Sequence, residues 1–252
     1  MNLIAGLESP DSGEILVDGK RVEGPSPERG MVFQNYSLLP WLNVGSNVGV
    51  AVDEVWSGDS KARRETRIDD ALAMVKLTDA KHKLPAELSG GMRQRNSVAR
   101  TLSMRPGILL LDEPLSALDA ITRAAVQDQI LQIWKEDKQT IVLITNDVDE
   151  GIYMADRIIP LSMGPAASLG PETPVEIPRP RSRRELAGDL DVARMRNEII
   201  DYLLSQKAKQ NADQPTRSVS LPNIRPMDIS MARPSNFLGL RPRPKKVLEP
   251  KH

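Results

Sequence analysis

LSGGMRQRNSVARTLSMRPGILLLDEPLSALD, residues 88–119, is the stretch that decides the fold. It reads as a polar loop, a helix, a buried strand and two acids on a tight turn. Ser89 and the two glycines after it open the helix, whose free N–H groups and partial positive charge favour anions. The apolar run at residues 108–111 is typical of a parallel strand covered on both faces. Asp112 and Glu113 follow it, where open α/β sheets bind ligands, so the stretch predicts an α/β fold that handles phosphate.

This stretch resembles the ATPase subunits of ABC transporters. Residues 88–94 look like the family's signature motif, residues 108–113 like Walker B, and residues 116–119 like the D-loop. An amphipathic helix followed by a core strand explains the apolar residues, but it does not explain SGG, DE and SALD together. The resemblance implies a P-loop NTPase-type ABC ATPase domain over residues 1–180, with a helical subdomain at about residues 46–100.

Composition and charge exclude several classes of protein. The 252 residues hold no cysteine, so disulfides and thiolate chemistry are excluded. Lys+Arg and Asp+Glu balance at 34 each, so no global charge argues for nucleic acid. Two histidines, His82 and His252, cannot build a multi-histidine metal site. No apolar run has the length that a bilayer span needs, and the first residues do not form a secretory signal, so we expect a soluble or peripheral protein.

The phosphate-binding loop of the family is missing from the sequence. In ABC ATPases the pattern NLIAGLESPDSGEILVDGK follows directly after that loop, but the 252 residues hold no G-x-x-x-x-G-K-[ST]. The strand that precedes the loop is missing too, so we expect the apolar faces beside it to be exposed. Two explanations stay open. We favour a start site placed too late, or a fragment, over a degenerate chain that has lost the loop.

The resemblance implies roles in ATP hydrolysis for three residues near strand ends. Asp112 would hold Mg²⁺ as a hard oxygen ligand. Glu113 would orient and deprotonate the attacking water. Gln34, which opens a segment similar to the family's Q-loop, would contact the magnesium or the water and report nucleotide to the membrane partner.

The resemblance also implies that two ATPase subunits form a head-to-tail dimer. The signature motif of each subunit then binds the γ-phosphate of ATP held by the other, and the D-loop couples the two sites. The residues that take these roles here are Ser89, Gly90, Gly91 and Gln94 of the signature motif and Asp119 of the D-loop.

Asn146 stands where most ABC ATPases have a histidine that contacts the γ-phosphate. Asparagine can donate a hydrogen bond to phosphate, but it cannot titrate or carry charge. The phrase TNDVDEGIYMADRIIPL and the segment at residues 157–180 resemble the nitrate-type branch of ABC importers, whose members handle nitrate, nitrite, cyanate, sulfonates or taurine. We therefore expect an ATP-binding and ATP-hydrolysing subunit that energises an ABC importer for a small anion, with nitrate first and nitrite, cyanate or a sulfonate as other candidates. The alternative is a non-hydrolysing subunit that lends its signature motif to an intact partner.

An apolar cluster predicts the membrane partner. It consists of Tyr36, Leu38, Leu39, Trp41 and Leu42. An exposed cluster of this kind marks an interaction surface, and in the family this region helps to receive the permease; a locally buried loop is the alternative. The expected partners are transmembrane permease subunits and, indirectly, a periplasmic-type binding protein, with no nucleic acid. The expected location is peripheral, on the cytoplasmic face of the inner membrane.

The remaining segments read as ordinary elements. Residues 60–77 and 120–138 have helical spacing, and residues 140–145 form a β-branched apolar strand. Residues 181–209 contain an amphipathic helix. From residue 210 the chain is polar and proline-rich, which predicts a disordered tail.

Overall fold

The structure is a computed structural model. It describes residues 1–116, 118–164 and 166–213, without the side chains of Asp137 and residues 209–213. Residues Met1–Asn211 form one compact unit, and the fold below is that of this unit. Almost all of the predicted tail lies outside the described residues.

The described residues form eight helices and seven strands, with short 3₁₀ turns at Thr78–Ala80 and Pro85–Glu87. The helices are α1 (Asn2–Ala5), α2 (Val44–Val55), α3 (Lys61–Met74), α4 (Gly90–Leu102), α5 (Ala120–Asp137), α6 (Val148–Met154), α7 (Arg183–Gly188) and α8 (Leu190–Asp213). The strands are β1 (Leu16–Val17), β2 (Lys20–Arg21), β3 (Arg29–Val32), β4 (Ile108–Asp112), β5 (Thr140–Ile144), β6 (Arg157–Ile158) and β7 (Thr173–Pro174).

A parallel three-stranded sheet in the order β3-β4-β5 positions the site. Val32 lies opposite Leu111, and Asp112 lies opposite Ile144. Since all three strands run the same way, the residues that follow them leave the sheet at one edge. The α/β fold class predicted from the sequence is therefore confirmed.

The two apolar strands β4 and β5 differ in burial. Leu109, Leu110 and Leu111 of β4 are at most 1% exposed, as a central strand requires. The apolar residues of β5 are only half-buried, because β5 is the outer strand of the described sheet.

Helices α2, α3 and α4 pack against one another beside the sheet, and α2 is an element that the sequence interpretation did not contain. Gly45, Asn47 and Gly49 are poor helix formers and hide the helical spacing of the valines in this segment. Asn47 is fully buried, and its amide bonds the backbone of Leu39, Leu42 and Asn43 at 2.8–3.1 Å. The residue that weakens the helical pattern therefore fixes the loop before the helix.

The segment after β7 is attached to α6 by an arginine. The side chain of Arg181 is 2% exposed and donates to the carbonyls of Ile152, Tyr153 and Ala155 at the end of α6. A cation at this position stabilises the negative end of the helix dipole. Two helices follow, α7 and α8, and Val192 of α8 packs with Ile152 in a small second core. No helix in the described ranges is long and apolar enough to span a membrane.

Candidate functional site

Four predicted site residues lie at the carboxyl edge of the sheet; we call Gln34, Asp112, Glu113 and Asn146 the strand-end group. Gln34 and Glu113 each stand two residues beyond a paired position, Val32 opposite Leu111. The Gln34 Nε2 donates a long hydrogen bond of 3.5 Å to the Glu113 Oε2. Asn146 stands two residues beyond the last residue of β5 and is exposed. Parallel topology thus collects polar side chains that are far apart in the sequence.

Glu113 has a strained backbone. Its φ is 44°, in the left-handed region that a residue with a Cβ enters at a cost of about 1–2 kcal/mol. Its N–H donates to the carbonyl of Ile144 at 3.0 Å, and its own carbonyl accepts from the Ser116 hydroxyl at 3.0 Å. These two bonds hold the backbone of Glu113 at the sheet edge in spite of the strain.

The strand-end group has the donor set that suits Mg²⁺. Asp112 and Gln34 offer a carboxylate and an amide oxygen, and Mg²⁺ typically takes one or two protein ligands together with phosphate oxygens and water. Within the described ranges no three His, Cys, Asp or Glu side chains are placed to hold a metal by themselves. Asp112 and Gln34 therefore fit a magnesium ion that a nucleotide brings with it.

A second set of predicted residues lies at helix starts; we call Ser89, Gly90, Gly91 and Asp119 the helix-start group. The Ser89 Oγ accepts from the N–H of Met92 at 3.3 Å and caps α4. The two glycines form the first turn of α4, where a helix leaves its N–H groups without a partner in the helix. Such a turn presents hydrogen-bond donors and positive potential to an anion.

Asp119 caps α5 in the same way. Its Oδ1 accepts from the N–H groups of Ile121 and Thr122 at 3.1 and 3.0 Å. The hydrogen bond from the Thr122 side chain, followed by those from the backbone, lowers the pKa of Asp119 below its usual value. The carboxylate is exposed and stays ionised at neutral pH.

Gly91 joins the two helix starts. A Cβ at Gly91 would lie 2.2 Å from the Cγ2 of Thr122, well inside van der Waals contact. Only glycine lets the first turn of α4 approach α5 this closely. The signature turn and the helix that follows Asp119 are therefore held together by direct packing, which the sequence did not reveal.

Gln94 does not join the helix-start group. Its side chain is 0% exposed, and within the described residues its amide oxygen and nitrogen have no hydrogen-bond partner. Residues three apart share a helix face, so Gln94 lies on the same packed side of α4 as Gly91. The predicted contact of Gln94 with nucleotide stays a prediction, and the side chain is buried in this structure.

Arg123 is a functional candidate that sequence reasoning missed. Its Nη2 donates to the carbonyl of Leu118 at 3.1 Å, and its Nη1 lies 3.3 Å from the Oδ2 of Asp147. Asp147 directly follows Asn146 and caps α6 through the N–H groups of Asp149 and Glu150. Arg123 therefore links the backbone before Asp119 to the turn that carries Asn146. Nothing in its sequence context distinguishes it from the other basic residues.

The predicted apolar cluster is partly exposed. Trp41 is 71% exposed, whereas Tyr36, Leu38, Leu39 and Leu42 are half-buried. Beside the loop, a cavity of about 560 Å³ lies between α2 and α3 and is lined by both apolar and charged side chains. Four of the five side chains in the cluster are therefore half-buried, and Trp41 is its exposed part.

Comparisons with known proteins agree with this geometry. The family model for ABC transporters matches residues 1–116. The nitrate transport protein NasD of Klebsiella oxytoca is 47% identical over 210 residues, which cover 83% of this chain and 80% of that protein. The bicarbonate transport ATP-binding protein CmpC of a Synechocystis strain is 45% identical over 207 residues, or 82% of this chain, and the chain spans 31% of that longer protein.

A solved structure shows the same fold. It is the dimeric post-hydrolysis state of the ATP-binding cassette MJ0796 bound to ADP and Pi, with a TM-score of 0.60 and 28% identity over 69% of this chain and 78% of that one. The chain that carries the strand-end group and the helix-start group thus has relatives that match most of its length. This chain belongs to the ABC transporter family of ATP-binding proteins.

Proposed function

We propose that this chain is the ATP-binding subunit that energises an ABC importer for a small anion, with nitrate as the first candidate. The observation that carries the proposal is the strand-end group, in which Gln34 and Glu113 approach to 3.5 Å beside Asp112. The names of its relatives, which describe nitrate and bicarbonate transport, support an inorganic anion as cargo.

The strand-end group divides the chemistry among its members. Phosphoryl transfer to water depends mostly on positioning and charge stabilisation. Asp112 and Gln34 would supply oxygen ligands for a Mg²⁺ ion bound with ATP, and that ion would balance the charge of the phosphates. Glu113 orients the attacking water and accepts its proton, and Asn146 donates a neutral hydrogen bond to phosphate.

The helix-start group serves a second ATPase subunit. We propose that the hydroxyl of Ser89 and the first-turn amides of α4 bind the γ-phosphate of ATP held by that subunit in a head-to-tail dimer, and that Asp119 lies at the same interface. The exposed residue Ser89, which caps the first turn of α4, supports this role, and the related cassette MJ0796 has been solved as a dimer. Gln94 stays outside this set because its side chain is buried.

The loop around Trp41 receives the permease. Its support is the exposure of Trp41, whose neighbour in the sequence, Leu42, lines the cavity of about 560 Å³ between α2 and α3. Large aromatic side chains are typical anchors of protein interfaces. The chain would then sit peripherally on the cytoplasmic face of the inner membrane, and the anion would be selected by the permease and a periplasmic-type binding protein.

The test is the substitution Glu113→Gln in the assembled importer, in a version of the chain that also carries the family's phosphate-binding loop. Removing a general base lowers turnover by about 10²–10⁴-fold, whereas nucleotide binding should persist because the amide keeps the size of the carboxyl group. Glu176→Gln, at an exposed position after β7, is the matched control and should leave turnover unchanged. ATP turnover that survives Glu113→Gln would remove Glu113 from the proposed role.

A further inference from the structure

We propose that Arg100 is a positioning residue that holds the turn at Tyr36 and Ser37 and thereby ties the end of β3 to the signature helix α4. The turn at these two residues is called the Tyr36 turn below. Only the functional role of Gln34, which lies two residues before Tyr36, rests on the proposed function. The contact itself is a property of this chain and can be tested without nucleotide.

The Tyr36 turn has two consecutive residues in an unfavourable conformation. The φ angles of Tyr36 and Ser37 are 61° and 47°, and neither residue is glycine. Its local hydrogen bonds go back to Phe33 and Asn35: the N–H of Ser37 donates to the carbonyl of Asn35 at 2.7 Å, the Ser37 hydroxyl donates to the Asn35 Oδ1 at 2.8 Å, and the N–H of Tyr36 donates to the carbonyl of Phe33 at 3.3 Å. A strained pair of this kind persists only where other contacts determine its conformation.

Arg100 supplies those contacts. Its Nη1 donates to the carbonyl of Ser37 at 2.6 Å and its Nη2 to that of Tyr36 at 3.3 Å. Both of its hydrogen bonds within the described ranges thus go to the two strained peptides. Arg100 is half-buried, and burial lowers the pKa of its guanidinium. The planar fork of arginine can hold two carbonyls at once, which a lysine cannot do in the same way.

The neighbours of Arg100 on α4 extend the connection in both directions. The hydroxyl of Thr101 donates to the carbonyl of Met31 in β3 at 3.1 Å, so the helix is fixed to the strand just before the turn. Towards the start of α4, the guanidinium of Arg93 lies 5.8 Å from the centre of the Tyr36 ring. The Tyr36 hydroxyl lies 3.5 Å from the position that a Cβ on Gly90 would occupy.

The Tyr36 turn is therefore the connection between three parts of the chain. Gln34 and its contact with Glu113 lie before it, the loop with Trp41 lies after it, and the first turn of α4 lies beneath the Tyr36 ring. A partner that displaces the Trp41 loop pulls on this turn. The turn then moves, or the hydrogen bonds from Arg100 hold it in place. In this way the exposed loop is coupled to both the strand-end group and the helix-start group.

The chain contains its own control in Arg95. This arginine is also on α4 and partly buried, and burial lowers its pKa as well. It donates to the carbonyls of Val75 and Lys76 at 3.1 and 3.4 Å, and Lys76 has a φ of 56°. Arg95 thus holds a left-handed turn after α3, while Arg100 holds the one after β3.

The experiment is residue-resolved hydrogen exchange by NMR on the full chain, without nucleotide, for Arg100→Gln and Arg95→Gln. We expect Arg100→Gln to raise exchange at the Tyr36 and Ser37 amides by about tenfold or more, since hydrogen bonds to a charged donor are lost. The amides near Lys76 should not change. Arg95→Gln should show the reverse. Equal changes in both segments for both variants, or no change at Tyr36 and Ser37, would overturn the proposal.

Two further variants separate positioning from simple packing. Ser37→Gly in the Arg100→Gln background should return exchange at Tyr36 towards the parent value, because glycine adopts positive φ freely. A packing role for Arg100 would predict no such rescue. Should Arg100→Gln fail to fold, Arg100→Lys serves instead and should give intermediate exchange. Exchange equal to that of the parent chain in the lysine variant would contradict the need for the guanidinium fork.

Because no nucleotide is present, these measurements stand apart from the proposed function. Loss of ATP turnover in Glu113→Gln and altered exchange in Arg100→Gln are independent results. If Glu113→Gln keeps its turnover while the exchange pattern follows the expectation, the proposed function fails and the role of Arg100 stands.

Discussion

The strand-end group and the helix-start group are brought together by different kinds of contact and offer different atoms to a ligand. The strand-end group is collected by parallel strands and offers oxygen atoms, with Glu113 held in a strained backbone by two hydrogen bonds. The helix-start group is collected by a helix–helix contact at Gly91 and offers N–H groups beneath the capping hydroxyl of Ser89. Oxygen atoms suit a cation and a water, whereas N–H groups suit phosphate.

The largest change in stability is expected from a substitution that breaks the helix–helix contact between α4 and α5. Gly91→Ala should lower the free energy of unfolding by about 2 kcal/mol, because the new methyl group overlaps Thr122 in a packed contact. Thr122→Ser removes the Cγ2 that lies 2.2 Å from the new atom and keeps the hydroxyl. In that background the cost of Gly91→Ala should fall below about 0.5 kcal/mol, since alanine is otherwise the better helix former.

Chemical denaturation of the four chains of this double-mutant cycle measures the coupling. A cost that is the same in both backgrounds would show that Thr122 does not limit the approach of α4 to α5.

A smaller effect is expected at the cap of α5. Asp119→Ala removes the acceptor of two backbone N–H groups and should lower the melting temperature by about 2–4 °C. Asp119→Asn keeps an oxygen that can cap the helix and should stay close to the parent chain. Thermal unfolding followed by circular dichroism distinguishes the two, and equal loss in both variants would mean that charge rather than capping is the main contribution.

The smallest effect is the pH dependence of that cap. The pKa of Asp119 is lowered in the folded chain, so its ionised form stabilises the fold fully above the unfolded value near 3.8. This contribution is lost as the pH falls from that value through the lower folded pKa. The difference in stability between the parent chain and Asp119→Asn should therefore shift in favour of asparagine as the pH drops below about 3.8. A difference that stays constant between pH 5 and 2.5 would contradict the lowered pKa.

The two groups also differ in how well the sequence predicts them. Gln34, Glu113 and Asn146 were predicted from the resemblance of their motifs to the family, and the parallel sheet then places each of them just beyond the end of a strand. The caps Ser89 and Asp119 were equally visible, because they are typical residues before a helix. Strand ends and helix caps depend on short stretches of sequence, so the sequence alone predicts them.

Contacts between elements were not predictable in this way. The packing of Gly91 on Thr122 joins residues on different helices, and nothing in either local sequence announces it. Gln94 was assigned to the nucleotide by its place in the motif, but burial depends on which face of α4 packs against its neighbours. Helix α2 was missed because Asn47 and the glycines around it serve tertiary contacts that outweigh their poor helix propensity.

Arg95 and Arg100 show the same limit. Both are arginines on one helix, five positions apart, and the sequence gives no reason to assign them different partners. The structure places one at the turn after α3 and the other at the turn after β3. The two arginines hold different turns because their guanidinium groups donate to different carbonyls.

The central claim is that the first turn of α4 binds phosphate held by a second ATPase subunit. The most direct measurement is ATP turnover by a partner subunit that carries its own phosphate-binding loop, assembled with this chain bearing Gly90→Asp or Gly58→Asp. The added Cβ meets only the Tyr36 hydroxyl at 3.5 Å in the first case and nothing within 4 Å in the second, so both chains should fold. We predict a loss of about tenfold or more for Gly90→Asp, because a carboxylate there repels phosphate, and no loss for Gly58→Asp. Equal turnover by the two assemblies would contradict the claim.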